Sequence, residues 1–147
     1  MSAHALIRLL ILVGCGFAAP AAGAIDIWMR ESEITAAFHD VTVDGRYADG
    51  KSFVERYRHD GRIEYSENGF KIGGRWSVTA GTLCTIYDSD ADGGCYRVAR
   101  VAENCFEFFF AARTEDDAPG PDQARPRWTA RGSITGRMPT CPEGADV

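Results

Sequence analysis

Histidine is the first scarcity of this chain: there are three in 147 residues, and only His39 and His59 follow the apolar stretch at the amino terminus. A Ser–His–acid arrangement needs a histidine as its base. Neither histidine neighbours a G-x-S-x-G or comparable motif. Both read as surface residues, His39 at the end of a short helix and His59 in a His59-Asp60-Gly61 turn. No two cysteines are spaced C-x-x-C, which with so few histidines argues against a zinc site. Phosphate-cradling loops are missing as well, since Gly73-Gly74 has no helix after it to present an amino terminus to an anion. Lysine occurs only at positions 51 and 71; the other basic residues are arginines, and acids outnumber bases 21 to 16 for a net charge of −5. Such a balance argues against a general affinity for nucleic acid, which calls for basic patches or stripes. No apolar run reaches the roughly 20 residues of a membrane-spanning helix.

What is present begins with a leader. Arg8 and the amino terminus form a short positive region, Leu9 to Val13 open an apolar core that runs on to Ala19, and Pro20 breaks it. Ala22-Gly23-Ala24 places small residues where signal peptidase reads them, so residues 1–24 are expected to be a signal peptide and 25–147 the mature domain. Removing the leader takes away Arg8 and no acid, leaving 15 basic residues against 21 acidic ones. A second reading makes Cys15 of Leu12-Val13-Gly14-Cys15 a lipidated residue, as in the bacterial lipobox. The short apolar run before Cys15 and its continuation beyond it favour the plain signal peptide. The protein is thus expected in the periplasm or secreted, with a membrane-anchored lipoprotein as the alternative.

Cys84, Cys95, Cys105 and Cys141 follow the leader. An even number in a small exported domain reads as a disulfide framework, with three possible connectivities.

Glu31 to His39 is the best helix candidate, with Ser32 as its cap and Ile34, Ala37 and Phe38 on one face. From Val41 onward Asp-Gly, Asn-Gly, Gly-Gly and Ala-Gly pairs punctuate segments rich in β-branched and aromatic residues. Strands are expected near 41–47, 52–58, 62–66, 74–79, 82–87, 95–101, 105–111 and 127–135. Alternation puts Phe53 and Tyr57 on one face, Phe106, Phe108 and Phe110 on another with Glu107 and Phe109 opposite, and Trp128, Ala130 and Ile134 together. The fold class is mainly β: a single antiparallel up-and-down meander or small barrel of about eight strands with one short amino-terminal helix. This strand map favours Cys84–Cys95 across one hairpin and Cys105–Cys141 tying the tail to the seventh strand.

Two constellations carry possible chemistry. Asp88-Ser89-Asp90-Ala91-Asp92-Gly93 satisfies D-x-D-x-D-G, and Asp88, Asp90 and Asp92 are the candidate calcium ligands. The twelfth position is Ala99 rather than a bidentate Glu, so the competing reading is a solvated hairpin loop. Glu55 alternates in phase with Phe53 and Tyr57. An inward carboxylate among Tyr57, Tyr65, Trp76 and Trp128 would orient a ligand in a barrel mouth. The competing reading makes these aromatics core filler.

Taken together, Asp60-Gly61-Arg62, Gly74-Arg75-Trp76, Leu83-Cys84 and Cys95-Tyr96-Arg97-Val98 form a series D-G-x, G-x-W, L-C, C-Y-x-V. It resembles small exported bacterial β-meander proteins grouped as domains of unknown function, over roughly Val41 to Phe110. The resemblance implies the meander and the Cys84–Cys95 bridge, and no catalytic residue.

The sequence therefore predicts an exported, non-enzymatic binding or accessory module, its partner a small molecule or an envelope protein. A small carboxylate-dependent hydrolase and a lipid-anchored envelope protein are the alternatives. No cofactor is expected beyond the calcium candidate.

Overall fold

The computed structural model describes residues 27–89, 93–112 and 128–142. One helix, α1 (Glu31–Phe38), precedes eight strands: β1 (Val41–Tyr47), β2 (Ser52–Tyr57), β3 (Arg62–Glu67), β4 (Phe70–Thr79), β5 (Thr82–Tyr87), β6 (Gly94–Ala102), β7 (Cys105–Ala112) and β8 (Ala130–Ile134). Each strand pairs antiparallel with the next, and β8 pairs with β1 from Val43↔Ile134 to Tyr47↔Ala130, so the sheet is a closed eight-stranded barrel. Among the described residues, closure leaves no strand at a sheet edge.

Tight turns form at Asp49-Gly50, Asp60-Gly61, Asn68-Gly69 and Ala80-Gly81, whereas Asp44-Gly45 and Gly73-Gly74, also expected as turns, lie inside β1 and β4 and pair in the ladder. Asn68 and Gly69 take φ values of 48° and 84° between β3 and β4. That pair of left-handed residues matches the right-handed twist of the flanking strands. The turn lets β4 pair back as far as Glu67↔Phe70, so β4 starts four residues earlier than expected. At the last strand the expected span shrinks to Ala130–Ile134.

The helix starts at Glu31 as expected, but Arg30 and not Ser32 stands at its cap. The backbone N–H of Arg30 donates to Glu33 Oε2 at 2.7 Å, and its guanidinium donates to Glu33 Oε1 at 2.9 Å. Glu33 thus supplies the reaching-back half of a capping box, and those bonds hold its carboxyl down at about 2. Ile34 and Phe38 are fully buried. Phe38 packs edge-on against Tyr57, Phe106 and Phe108 at 5.2–5.7 Å. An eight-residue helix is too short to persist alone; it persists by stoppering one end of the barrel.

Cross-strand partners share a face, so the register fixes the interior. Val43, Phe53, Tyr57, Ile63, Leu83, Val98, Phe106, Phe108, Ala130 and Ile134 form its buried core. Gly45 makes room for one of them: a Cβ there would stand 2.5 Å from Phe53 Cζ.

The outer face of β6–β8 is buried too, which alternation alone did not predict. Phe109 and Glu107 are 2% and 4% exposed. Trp28 bridges to Ala99, the N–H of Met29 donates to Val98 O, and the Trp28 ring meets Phe109 edge-on at 5.1 Å. The Arg97 guanidinium lies over the Trp28 ring, 4.3 Å from its centroid. Both disulfides form as the strand map predicts. Cys84 and Cys95 are register partners with Cα atoms 4.0 Å apart, and Cys105–Cys141 draws the tail across β7.

Candidate functional site

The interior site grows from β2. The two-residue period sends Phe53, Glu55 and Tyr57 inward together, and Glu55 is only 8% exposed. Its two oxygens each accept a phenolic hydrogen: Oε2 from Tyr57 and Oε1 from Tyr87 on β5. Tyr87 arrives there because it is the register partner of Gly74, three strands around the barrel wall from Glu55. A second chain of hydroxyls lies beside the first. Tyr47 Oη donates to Tyr65 Oη at 3.1 Å, and Tyr65 donates to Glu67 Oε2. The rings of Tyr65 and Tyr87 are 5.4 Å apart and link the two chains.

Burial is the largest influence on the ionisation of Glu55 and of Tyr47, Tyr57, Tyr65 and Tyr87. It pushes the Glu55 carboxyl above its ordinary value, against the two phenolic hydrogen bonds that favour its charge. Tyr57 and Tyr87 are raised by burial first and by the neighbouring Glu55 charge second. Tyr47 is raised by burial and by its bond to Tyr65, and Tyr65 is pushed up to about 12. The phenols therefore stay protonated and act as donors.

Glu55 lines a cavity of about 50 Å³ at the end of the barrel away from α1, walled by Tyr47, Phe53, Tyr57, Leu83, Thr85, Tyr87, Tyr96, Phe108 and Ala130. At roughly 10–15 Å³ per water on this measure, it admits a few water-sized groups. A drug-sized ligand needs a pocket of roughly 300–1,000 Å³. A larger concavity of about 830 Å³ runs outside the barrel along α1. It is an open groove whose Glu33, His39 and Arg137 are exposed, so its charged groups are already hydrated and gain little from a ligand.

No family model, curated protein or solved structure matches the chain. What the site does rests on its own geometry.

Of the residues the sequence put around Glu55, Tyr57 bonds it directly and Tyr65 reaches it through Tyr87. Trp76 stands on the far side of Tyr57, its ring edge-on at 5.5 Å and its Nε1–H donating to Arg58 O at 2.8 Å. It belongs to the stoppered end and does not line the cavity. Trp128 is also outside: its ring lies 4.8 Å from the guanidinium of Arg131, a residue of the outer face, because the strand begins only at Ala130 and the alternation does not extend back to it. Tyr47, Tyr87 and Tyr96 were missed. Their inward phase was readable from alternation with Val43, Leu83 and Val98, but their convergence on Glu55 depends on the register.

Of the calcium candidates, Asp88 closes over Gly73, where a Cβ would lie 2.8 Å from its Oδ2. Asp90 and Asp92 lie outside the described residues, as does Cys15. Among the described residues no group of three or more His, Cys, Asp and Glu side chains is placed to hold a metal ion. Nor is any helix among them long and apolar enough to cross a membrane. His59 is exposed, and its ring and backbone N–H both meet the Asp40 carboxylate, holding that carboxyl below its ordinary value.

Proposed function

We propose that this chain is an exported, non-enzymatic binding module that takes a small molecule, or the small head group of a larger one, into the open end of its barrel at Glu55. The observation that carries the reading is a buried carboxylate, held by Tyr57 and Tyr87, in the wall of a cavity. A few convergent polar groups among aromatic walls are what a ligand site needs. The cavity's size sets the ligand at a few heavy atoms.

The hydrolase alternative is less well supported. Glycoside hydrolysis generally uses two carboxylates facing one bond, and among the described residues Glu55 is the one acid that lines the cavity. Export is supported by the leader pattern and by two disulfides, which persist in oxidising compartments. The resemblance of the D-G-x, G-x-W, L-C and C-Y-x-V series to small exported β-meander proteins points to the same setting.

Ring signals of Tyr47 and Tyr87, followed by nuclear magnetic resonance against water-soluble fragments of a few heavy atoms, test the interior site. At least one fragment is expected to shift them saturably in the wild type, and not in Ala130→Val, whose added methyl groups occupy the cavity. Failure of every fragment would overturn the reading. For export, protein recovered from the periplasm is expected to have a mass beginning at Ile25; an acylated Cys15 terminus would establish the lipoprotein instead.

A further inference from the structure

We propose that the interior site recognises a primary ammonium group, seated against Glu55 and enclosed by aromatic faces. The proposal rests on the interior-binding reading above and adds the chemical class of the ligand.

Hydrogen-bond accounting makes the first argument. The hydroxyl hydrogens of Tyr57 and Tyr87 are committed to Glu55, that of Tyr65 to Glu67, and that of Tyr47 to Tyr65. What Tyr47, Tyr57, Tyr87 and Glu55 still offer a guest is oxygen lone pairs. A guest that only donates complements those four, and an ammonium carries three donors and no acceptor. A carboxylate or phosphate brings only acceptors and a charge of the wrong sign.

Charge makes the second. Among the described residues, no lysine or arginine lines the cavity. Arg100, in phase with the interior on β6, lies over the Phe106 ring at 5.3 Å, near the ring of Phe38 that stoppers the barrel. Arg97 and Arg131 belong to the outer face. Glu55 is therefore a buried carboxylate whose partners are neutral phenols, and a buried charge without a counter-charge is costly. A cationic guest supplies the missing charge.

Shape makes the third. Tyr47, Phe53, Tyr87 and Tyr96 wall the space above Glu55. Aromatic faces attract a cation within about 6 Å. About 50 Å³ accommodates an ammonium and the carbon or two next to it. The same head group ends a free small amine, a diamine or a lysine side chain.

The test uses the full chain with its disulfides intact and follows the Glu55 carboxyl carbon and the Tyr87 ring by nuclear magnetic resonance. The probes are methylammonium, potassium ion, methanol and formate, at equal ionic strength. Methylammonium is expected to shift both signals saturably, with affinity at least tenfold above the other three. Glu55→Gln is expected to lower that affinity at least tenfold. If that variant does not fold, Ala130→Val, which keeps the carboxylate and fills the space, is expected to abolish binding. Tighter binding of 1,4-diaminobutane or an acetylated lysine amide than of methylammonium assigns the head group to a longer molecule; the reverse assigns it to a free small amine. Equal or tighter binding of methanol, formate or potassium overturns the ammonium assignment and leaves an interior binding site standing. Silence from every probe overturns both.

Discussion

Asn104 pairs with Ile134 as a neighbouring strand would. Its side-chain oxygen accepts the Ile134 N–H at 2.9 Å, and its amide nitrogen donates to the Ile134 carbonyl at 3.0 Å. The same amide nitrogen also reaches Met138 O at 3.2 Å. One side chain in the β6–β7 turn thus completes the backbone bonding at the end of β8, where Asn104 itself is 3% exposed.

Asn104→Ala is expected to cost about 1–3 kcal/mol in urea unfolding, since it leaves the buried Ile134 N–H unpaired while the Ile134 carbonyl keeps the Arg137 N–H at 3.4 Å. Asn104→Asp keeps the acceptor for Ile134 N–H but turns the donor into an oxygen facing two carbonyls. Its stability is expected to fall further as pH rises from 4 to 7. Loss of less than about 0.5 kcal/mol in both variants would show that solvent replaces the side chain.

Glu107 and Arg131 form a buried pair on the outer face, Arg131 Nη2 to Glu107 Oε1 at 2.7 Å, with side chains 5% and 3% exposed. Glu107→Ala strands a buried guanidinium and is expected to cost about 3–5 kcal/mol. The double variant Glu107→Leu, Arg131→Met is expected to recover most of that loss, because an apolar pair of similar volume avoids desolvating two charges. A double-mutant cycle in guanidinium chloride measures the difference. Equal losses in the single and double variants would mean that packing, not charge, sets the cost.

The two disulfides are expected to contribute unequally. Their partners are 11 and 36 residues apart. Loop-closure entropy assigns about 3 kcal/mol to Cys84–Cys95 and about 4 kcal/mol to Cys105–Cys141. Removing the second also frees the tail that carries Thr140, whose hydroxyl accepts the Asn104 N–H at 2.8 Å, and Pro142, whose carbonyl accepts from Arg131. Replacing Cys105 and Cys141 with Ala is thus expected to lower Tm further than replacing Cys84 and Cys95. The opposite order, read by calorimetry, would show that the tail contacts add nothing.

Glu55 predicts a pH dependence of stability. Its carboxyl is raised above the ordinary 4.5 by burial, so the folded protein holds this proton to higher pH than the unfolded chain does. Stability from this group is complete below 4.5 and declines as pH rises through the folded value, by up to about 1.4 kcal/mol per pH unit. Glu55→Gln does not titrate. The wild type is therefore expected to lose stability relative to Glu55→Gln as pH climbs from 4.5, read as the difference in Tm. A difference that stays constant with pH would mean that Glu55 ionises normally in the fold.

Much of the barrel was legible in the chain, and the reasons are local. The turn pairs at Asn68-Gly69 and Ala80-Gly81 ended strands where the sequence placed them, because few residues accept the left-handed backbone of a tight hairpin. Alternation at Phe53, Glu55 and Tyr57 turned Glu55 inward for the same kind of reason, a two-residue period that neighbouring side chains cannot change. The site itself was only half legible. Trp76 and Trp128 were drawn toward Glu55 by phase alone, yet one stands at the stoppered end and the other on the outer face. Height along the barrel axis comes from the stagger between strands, and no period within one strand encodes it.

Strand number, most turn positions, the inward phase of Glu55 and the two cysteine pairings followed from sequence, since backbone sterics and side-chain period act over a few residues; that Asp44-Gly45 and Gly73-Gly74 run on as strand did not. Barrel closure, the meeting of Tyr57 and Tyr87 on one carboxylate, and the burial of Glu107 and Phe109 beneath the chain ends were decided by the tertiary structure. Each joins groups brought together only when all eight strands take one register and the two ends fold back over it.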